Sequence, residues 1–386
     1  MRILVLTFYY APDLSAGSFR TTALIESLRK TASPSDEIEI ITTMPNRYSS
    51  LTNEALEYEE YDNIKINRIP LGLHKNGFLD QSFLFFKFII QVLRLLRRRK
   101  KYDIVYATSS RLMTAFLGSF IARRQKSKLF LDIRDIFLDT LTSLFKKRKL
   151  KYLIPLLRRI EKYTIYSASH INLVSKGFED YFLNIRDKIP YSFYSNGIDD
   201  VFLHYDFQKK NTAGKKIITY AGNIGEGQGL EKIIPQMAKT LGDAYHINIY
   251  GDGGSKTKLI QYLEGVDNVT LYNPVNRDIL LAVYKESDFL FLHLNDYEAF
   301  KKVLPSKLFE YAATGKFIIA GVGGYAQKFI ADNINGSLVF EPCNSEDFIS
   351  KFTDFHHATS INRDLFIQKF SRKNIMDELA HKVYTL

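Results

Sequence analysis

The stretch ITYAGNIGEGQGLEKII, residues 218–234, decides the fold of this chain. An apolar segment leads into four closely spaced glycines and then into a segment with helical spacing, which predicts a strand, a tight loop and a helix. Glycines let such a loop bring its backbone N–H groups close to an anion at the positive end of the helix. The glycines do not have the spacing of the dinucleotide-binding fingerprint, and an ordinary strand-to-helix turn is an equal alternative.

Strand-and-helix units of the same kind continue on both sides of this stretch. The predicted strands are rich in Ile, Val and Leu without strict alternation, as is typical of strands buried on both faces of a parallel sheet. They lie at residues 3–7, 38–42, 65–69, 104–107, 128–132, 170–174 and 191–194, and again at 217–221, 246–250, 269–272, 289–292, 317–320 and 338–340. The sequence therefore predicts an α/β fold with two Rossmann-like, doubly wound parallel-sheet domains.

The repeating pattern stops around Asn196 and Gly197, and the polar stretch DFQKKNTAGKK follows. We expect an N-terminal domain over residues 1–204, a linker over 205–215, a C-terminal domain over 216–370 and a closing helix in residues 371–386. Parallel sheets bind ligands beyond the carboxyl ends of their strands. If both sheets face one cleft, the ligand lies between the domains.

Composition limits the class of protein. Of the 386 residues, 46% are apolar and 25% are charged, which is typical of a globular protein. The one cysteine, Cys343, excludes an intramolecular disulfide. The most apolar run, residues 83–96, is shorter than the roughly 20 residues that cross a bilayer. The opening MRILVLTFYY has no small-residue cleavage site after it, which favours a buried first strand over a signal peptide.

The positive charge is confined to one half of the chain. The net charge is +11, and residues 1–200 hold 32 basic and 21 acidic residues, whereas the remainder holds 21 of each. A one-sided basic domain suggests an anionic partner. Lys87, Gln91, Arg94, Arg98 and Lys101 are predicted to form a polar stripe on an apolar helix, and residues 143–163 mix cations with Leu, Ile and Tyr. Both features predict docking on an anionic membrane, with a solvated basic face as the alternative.

A second informative stretch is LPSKLFEYAATGKFIIAGVGG, residues 304–324, which predicts a helix that ends at Gly315 before a buried strand. Pro305 and Ser306 can open this helix, with Ser306 as its N-cap. Lys307 then lies in the first turn, where a cation is unfavourable unless an anion such as a phosphate binds beside it. Glu310 follows one turn later and can accept two hydrogen bonds from a vicinal diol such as a ribose. The alternative is that Lys307 and Glu310 face the solvent.

Loops after other predicted strands supply weaker candidates. In YYAPDLSAGS, residues 9–18, Gly17 would allow a diphosphate to approach the backbone, and in LDIRDIF, Arg134 and Asp135 would reach the cleft. An ordinary turn and a structural ion pair are the respective alternatives. GDGG at residues 251–254 and NPVN at 273–276 are further loops at this edge. No spacing of His, Cys or Asp predicts a metal site, and none of the eight histidines is predicted to be a ligand.

At these motifs the chain resembles the retaining family 4 glycosyltransferases, which have the GT-B fold. The likeness covers nearly the whole length. It rests on FYYAPDLSAG, TTALIESLRK, SASHINLVSKGF, SNGID, GNIGEGQGL, IYGDGG and LPSKLFEYAATGK, in that order. LDIRDIF, GNIGEGQGL and PSK together resemble a subgroup that builds O-antigen and capsule repeats and includes N-acetyl-fucosamine transferases.

The resemblance implies a nucleotide-diphosphate sugar donor, usually a uridine diphosphate sugar, that is bound mainly by the C-terminal domain. It also implies that the closing helix crosses back to the N-terminal domain. Glu310 matches the second glutamate of the family's E-x7-E motif, which holds the ribose, whereas Lys302 stands at the position of the first. Asn223 and Gln228 stand where the family usually has Arg and Lys on the diphosphate.

We therefore expect Lys307, with Lys301 or Lys302 and backbone N–H groups, to supply the missing positive charge. Arg134 falls near a family position beside the donor sugar, and the expected catalytic residues are Lys307, Arg134 and Asp135. The expected donor-binding residues are Gly17, Gly222, Asn223, Gly225, Gln228, Gly251, Val275, Ser306, Lys307, Leu308 and Glu310.

The expected function is transfer of a sugar, with retention, from a UDP-sugar (GDP is the alternative) to a lipid-linked or saccharide acceptor in bacterial surface polysaccharide synthesis. No metal or cofactor is expected, because cations and helix dipoles can stabilise the leaving diphosphate. The protein is expected to be cytoplasmic and attached peripherally to the inner face of the membrane. A sugar-nucleotide epimerase of the same architecture is the closest alternative. The neutral C-terminal half disfavours nucleic-acid binding, and the missing fingerprint disfavours an NAD enzyme.

Overall fold

The fold is that of a computed structural model, which describes residues 1–13, 15–45, 55–71, 78–109, 112–136, 138–139, 152–209, 214–353 and 361–386, with only the backbone of residues 78–82. The strands are β1 (Arg2–Leu6), β2 (Glu37–Thr43), β3 (Tyr58–Tyr61), β4 (Ile64–Ile69), β5 (Ile104–Thr108), β6 (Lys128–Ile133), β7 (His170–Leu173), β8 (Tyr191–Ser192), β9 (Lys216–Ala221), β10 (Tyr245–Tyr250), β11 (Val269–Tyr272), β12 (Phe289–His293), β13 (Phe317–Gly321) and β14 (Ser337–Phe340).

The α-helices in the described residues are α1 (Ala16–Thr31), α2 (Phe78–Leu96), α3 (Leu112–Gln125), α4 (Ile154–Ser167), α5 (Glu179–Leu183), α6 (Asp200–Leu203), α7 (Leu230–Leu241), α8 (Lys256–Tyr262), α9 (Arg277–Glu286), α10 (Lys307–Ala313), α11 (Gly324–Asn333), α12 (Ser345–Thr353), α13 (Asp364–Phe370) and α14 (Arg372–Tyr384). None of the helices described is long and apolar enough to cross a membrane.

The first compact unit consists of Met1–Asn196 and Arg372–Leu386. It is built on an eight-stranded sheet of order β3-β4-β2-β1-β5-β6-β7-β8. Seven strands run parallel, and the edge strand β3 pairs antiparallel with β4. The inner strands are buried at almost every position because helices cover both faces of the sheet, as their unbroken apolar runs predict.

The second unit, Gly197–Ser371, is built on a six-stranded sheet of order β11-β10-β9-β12-β13-β14 in which every pair is parallel. Two hydrophobic clusters pack on this sheet and contain its Ile, Leu and Phe side chains. The predicted α/β class with two doubly wound sheets is confirmed, and every predicted strand is present with ends shifted by at most two residues.

The change of unit differs from the expected boundary. The expected linker was residues 205–215, whereas the units meet at Asn196 and Gly197. Ile198 and Phe202 are buried in a core cluster of the second unit, and Ile198 N–H donates to Phe370 O at 2.7 Å. Residues 197–204 therefore belong to the second unit. The closing helix α14 packs on α1 in the first unit.

The structure describes only part of the two predicted basic features, the polar stripe and the basic segment. Arg98 and Lys101 lie beyond the end of α2 at Leu96, so the predicted stripe of five polar side chains on this helix is wrong at its C-terminal end. Of the predicted basic segment 143–163, residues 143–151 lie outside the described residues, and the remainder begins helix α4.

Candidate functional site

The order of the strands in the second unit marks where a ligand binds. From β9 the chain winds to one side of the sheet through β10, and from β12 it winds to the other side through β13. The two halves therefore diverge between β9 and β12, and parallel sheets bind their ligands at the carboxyl ends of the strands at such a switch point. The glycine loop, residues 222–229 after β9, lies at this point.

Every carbonyl group from Asn223 to Gln228 in the glycine loop accepts a hydrogen bond. The donors, in chain order of the carbonyls, are Tyr220 Oη (2.6 Å), Ser255 N (2.9 Å), Gln228 N (3.0 Å), Asn295 Nδ2 (2.7 Å), Asn295 N (2.9 Å) and His293 Nδ1 (2.5 Å). By contrast, the N–H groups of Asn223, Glu226 and Gly227 have no acceptor among the described residues. A loop with bonded carbonyls and open N–H groups attracts anions.

Lys307 lies directly against this loop. A Cβ atom placed on Gly222 would collide with Lys307 Nζ, and the φ of +146° at Gly222 also disfavours any other residue. Lys307 Nζ donates to Tyr220 Oη at 3.1 Å and lies 4.5 Å from the centre of the Tyr220 ring. Loss of solvent around the ammonium group lowers the pKa of Lys307 to about 8, and the charge of Glu310 opposes this shift. Gly222 and Lys307 thus place a cation beside the loop.

The other candidates at the start of helix α10 differ in what they can contact. Ser306 occupies the predicted N-cap position, but its side chain makes no capping hydrogen bond, because its backbone is already helical with φ of −62° and ψ of −33°. Glu310 is half-buried one turn after Lys307. Leu308 is fully buried in the hydrophobic core, so its side chain cannot reach a ligand.

The remaining candidates of the second unit surround the glycine loop or the next strand ends. Asn223 and Gln228 bond to each other through Nδ2 and Oε1 at 2.8 Å, and Gly225 N–H also donates to Gln228 Oε1. A Cβ atom on Gly251 would collide with the carbonyl oxygen of Gly222. Val275 is half-buried in the loop between β11 and α9.

Lys301 differs from Lys307 in its surroundings. Lys301 Nζ pairs with Glu298 Oε1 at 2.6 Å, and a carboxylate therefore already neutralises this expected source of charge. Lys302 is half-buried in the same short turn. Among the residues that the structure describes, no group of three His, Cys, Asp or Glu side chains could hold a metal ion.

The first unit contains a separate cluster at the ends of β1 and β6. A Cβ atom on Gly17 would lie 2.6 Å from Arg134 Nη1, so the guanidinium group packs against the first turn of α1. Buried Arg134 Nε has no hydrogen-bond partner among the described residues, and loss of solvent lowers the pKa of this side chain while Asp132 opposes the shift. The buried ion pair of this segment joins Asp132 to Arg20 at 2.8 Å, whereas Asp135 is exposed.

Three residues of this site have no local sequence signal. Tyr220, His293 and Asn295 lie within or directly after strands that sequence reasoning treats as core. Tyr220 lies near the end of β9, just before the glycine loop, whereas the closeness of His293 and Asn295 to this loop follows from the pairing of β9 with β12, which the sequence does not reveal. Only the strand order, combined with the switch-point rule, could have singled out His293 and Asn295.

The family model and the relative that match this chain are both described as glycosyl transferases. Residues 204–369 match the family model described as glycosyl transferases group 1. Over 359 residues the chain is 24% identical to WcaI of Escherichia coli (strain K12), which is named for a glycosyl transferase role in colanic acid biosynthesis, and the match covers 85% of this chain and 84% of WcaI.

Solved structures share the fold at low sequence identity. HepE of Anabaena, solved in complex with UDP, superposes with a TM-score of 0.69 and 15% identity over 100% of both chains. The UDP-GlcNAc 2-epimerase of Neisseria meningitidis, bound to UDP-GlcNAc, superposes with a TM-score of 0.53 and 14% identity over 100% of both chains. The fold is thus shared by glycosyltransferases such as WaaG and by this epimerase, so it does not by itself separate the two activities.

Proposed function

We propose that this chain, a glycosyltransferase whose residues 204–369 form a glycosyl transferases group 1 domain, takes its sugar from a UDP-sugar and transfers it with retention. Its acceptor is proposed to be a saccharide or a lipid-diphosphate-linked saccharide in the synthesis of a bacterial surface polysaccharide. The relationship to WcaI supports the polysaccharide, and the UDP bound to the structural relative HepE supports the nucleotide.

The observation that carries the proposal is the combination of the glycine loop with Lys307. The open N–H groups of the loop and the Lys307 ammonium group beside Gly222 supply positive charge at one place. Within a nucleotide-sugar the diphosphate carries the negative charge, so it is the group that this positive charge stabilises most. We assign Glu310, one helical turn from Lys307, to the two hydroxyl groups of the ribose.

In the proposed reaction, the acceptor hydroxyl oxygen bonds to the anomeric carbon as the bond from that carbon to the diphosphate oxygen breaks. The electron pair of the broken bond leaves with the diphosphate, and the proton of the acceptor hydroxyl passes to a phosphate oxygen. Attack on the face from which the diphosphate departs gives retention. Lys307 and the loop N–H groups offset the charge that develops on the leaving group, so the proposal requires no metal. We assign Arg134 and Asp135 to the donor sugar.

Thermal unfolding with a panel of nucleotides tests the donor. We expect UDP at about 100 times its dissociation constant to stabilise the protein by roughly 2.7 kcal/mol, with GDP, ADP and NAD weaker. The Lys307→Ala protein should lose most of this shift. The matched control is Lys316→Ala, which removes a half-buried lysine of the same unit that bonds to Lys285 O. A shift for GDP alone would change the donor, and no shift with any diphosphate would refute the proposal.

Incubation with a UDP-sugar and an acceptor separates transfer from epimerisation. A transferase releases UDP and adds mass to the acceptor, whereas an epimerase converts the nucleotide-sugar to its isomer without an acceptor. An isomer formed in the absence of acceptor would favour the epimerase.

We also propose that the first unit docks on an anionic membrane through helices α2 and α4. Helix α2 connects β4 to β5, and helix α4 connects β6 to β7, so the chain moves across the sheet in the same direction in both connections. Because such crossovers are right-handed, both helices lie on the same face of the sheet. Their exposed side chains include Phe83, Phe86, Lys87 and Arg94 on α2, and Leu156, Arg158, Arg159 and Lys162 on α4. Exposed aromatic and aliphatic groups among cations suit the interface of an anionic bilayer, such as the inner face of a bacterial membrane.

Flotation with vesicles tests this docking. The protein should float with vesicles that contain phosphatidylglycerol at low salt, and Phe83→Ser with Phe86→Ser should reduce the floating fraction severalfold. These two rings are 62% and 59% exposed. Leu365→Ser is the matched control, because Leu365 is 81% exposed in the second unit. Equal flotation of all three proteins, or none by the wild type, would argue against docking by this face.

A further inference from the structure

Two buried residues at the end of β12 bond to three consecutive carbonyl groups of the glycine loop, two of them through side chains and one through a backbone N–H. His293 Nδ1 lies 2.5 Å from Gln228 O, and Asn295 Nδ2 lies 2.7 Å from Glu226 O. The backbone N–H of Asn295 donates to the carbonyl between them, Gly227 O, at 2.9 Å. The two side chains are 0% and 1% exposed, so solvent does not compete for these bonds.

The hydrogen bonds of His293 determine its tautomer. Cys343 N–H, which can only donate, lies 3.0 Å from His293 Nε2, so this ring nitrogen accepts and the proton is on Nδ1. Nδ1 therefore donates to Gln228 O. Burial lowers the pKa of His293 to about 4, which keeps the ring neutral near pH 7. The ring packs against both Phe291 and Phe340, with ring centroids 6.1 Å away in each case.

The orientation of the Asn295 amide is determined in the same way. Lys232 Nζ, a donor, lies 2.7 Å from Asn295 Oδ1, and Asp296 N–H donates to the same oxygen at 3.0 Å. The amide nitrogen must therefore be the atom that faces Glu226 O. A Cβ atom on Gly229 would lie 3.1 Å from Asn295 Cγ, which shows how closely the loop packs against this side chain.

The chemical consequence concerns the sign of the charge that the loop presents. Each carbonyl oxygen carries partial negative charge, and an oxygen left free beside a diphosphate would repel it. We infer that His293 and Asn295 are positioning residues for the donor diphosphate: they bind the carbonyl groups of residues 226–228 and so keep the loop in the form whose N–H groups are open to the anion. This inference rests on the proposed function and adds the residues that shape its binding loop.

Paired measurements with UDP and uridine distinguish positioning from general damage. His293→Phe keeps an aromatic ring packed against Phe291 and Phe340 but removes both hydrogen bonds, and Asn295→Ala removes the bond to Glu226 O. We expect each change to weaken UDP binding about tenfold, since one or two buried hydrogen bonds are lost, and to change uridine binding less than twofold. His293→Asn, which retains an N–H donor near the position of Nδ1, should recover part of the UDP affinity.

The matched control is His170→Phe. His170 is also buried and stacks on an aromatic ring, Phe130, but it lies in the first unit. Its replacement should leave the affinity for UDP unchanged. Thermal midpoints without ligand identify a protein that fails to fold, and if His293→Phe fails, His293→Asn and Asn295→Ala decide the question.

The outcomes separate this inference from the proposed function. If the wild type binds UDP and the His293 and Asn295 variants bind it equally well, the inference alone is overturned. An equal loss of UDP and uridine affinity also overturns it, because that result indicates structural damage to the whole site. A wild type that binds no nucleoside diphosphate overturns both.

Discussion

At the scale of single residues, the charge state of Lys307 connects the structure of the glycine loop with the proposed binding of a diphosphate. Its ammonium group lies against Gly222 and donates to the Tyr220 hydroxyl, and the nearby Glu310 only partly offsets the loss of solvent. The pKa of about 8 compares with an ordinary lysine value of 10.5. The free protein therefore loses this positive charge within an accessible pH range, whereas a bound diphosphate favours the charged form.

This shift predicts a pH dependence for UDP binding. Only the charged form of Lys307 attracts the diphosphate, so the apparent dissociation constant should rise about tenfold between pH 7 and pH 9 as the charged fraction falls. The terminal phosphate of UDP is already ionised above about pH 6, as phosphate esters are, and does not add to the change. Titration calorimetry across this range gives the slope.

Two replacements of Lys307 identify the group responsible. Lys307→Met should bind UDP weakly and with a flat pH profile, while Lys307→Arg keeps its charge throughout and should also be flat. A slope in Lys307→Met equal to that of the wild type would show that another group titrates.

At the scale of helices and strands, the sequence predicts what depends on local pattern. Buried parallel strands such as β1 and β5 are continuous apolar runs and are found where predicted. Strand β3 was missed because YEEY is mostly exposed at an antiparallel edge and contains no apolar run. Helix α6 has no comparable local signal, because it has one turn and its burial depends on Phe202 entering the core of the second unit.

The residues of the candidate site likewise include some with a local sequence signal and some without one. The glycine loop and the start of α10 have local signals, namely closely spaced glycines and a cation in a first helical turn, and the structure brings Gly222 and Lys307 together. His293 and Asn295 have none, because a histidine that ends a buried strand has the same sequence context as a core residue. Their relation to the loop exists only once β9 and β12 are neighbours.

At the scale of the whole molecule, the chain enters the second unit at Gly197 and returns to the first at Arg372. The returning helix α14 is part of the core of the first unit. Met376, Leu379, Ala380 and Val383 are fully buried in one cluster with Leu24, Ile25 and Leu28 of α1. The first unit thus completes its core only with residues 372–386, although the whole of the second unit is encoded between its two parts.

This arrangement predicts that one buried leucine near the C-terminus controls the stability of the N-terminal unit. Leu379→Ala should lower the free energy of unfolding of the first unit by about 2–5 kcal/mol, because the change leaves a cavity between α14 and α1. Glu378→Ala is the matched control, since Glu378 is its exposed neighbour on the same helix. Urea unfolding followed by proteolysis within residues 1–196 measures the effect on this unit. The nucleotide site is proposed to lie in the second unit, so the UDP affinity of folded Leu379→Ala should equal that of the wild type. If Leu379→Ala were as stable as Glu378→Ala, helix α14 would be an accessory to the first unit and not part of its core.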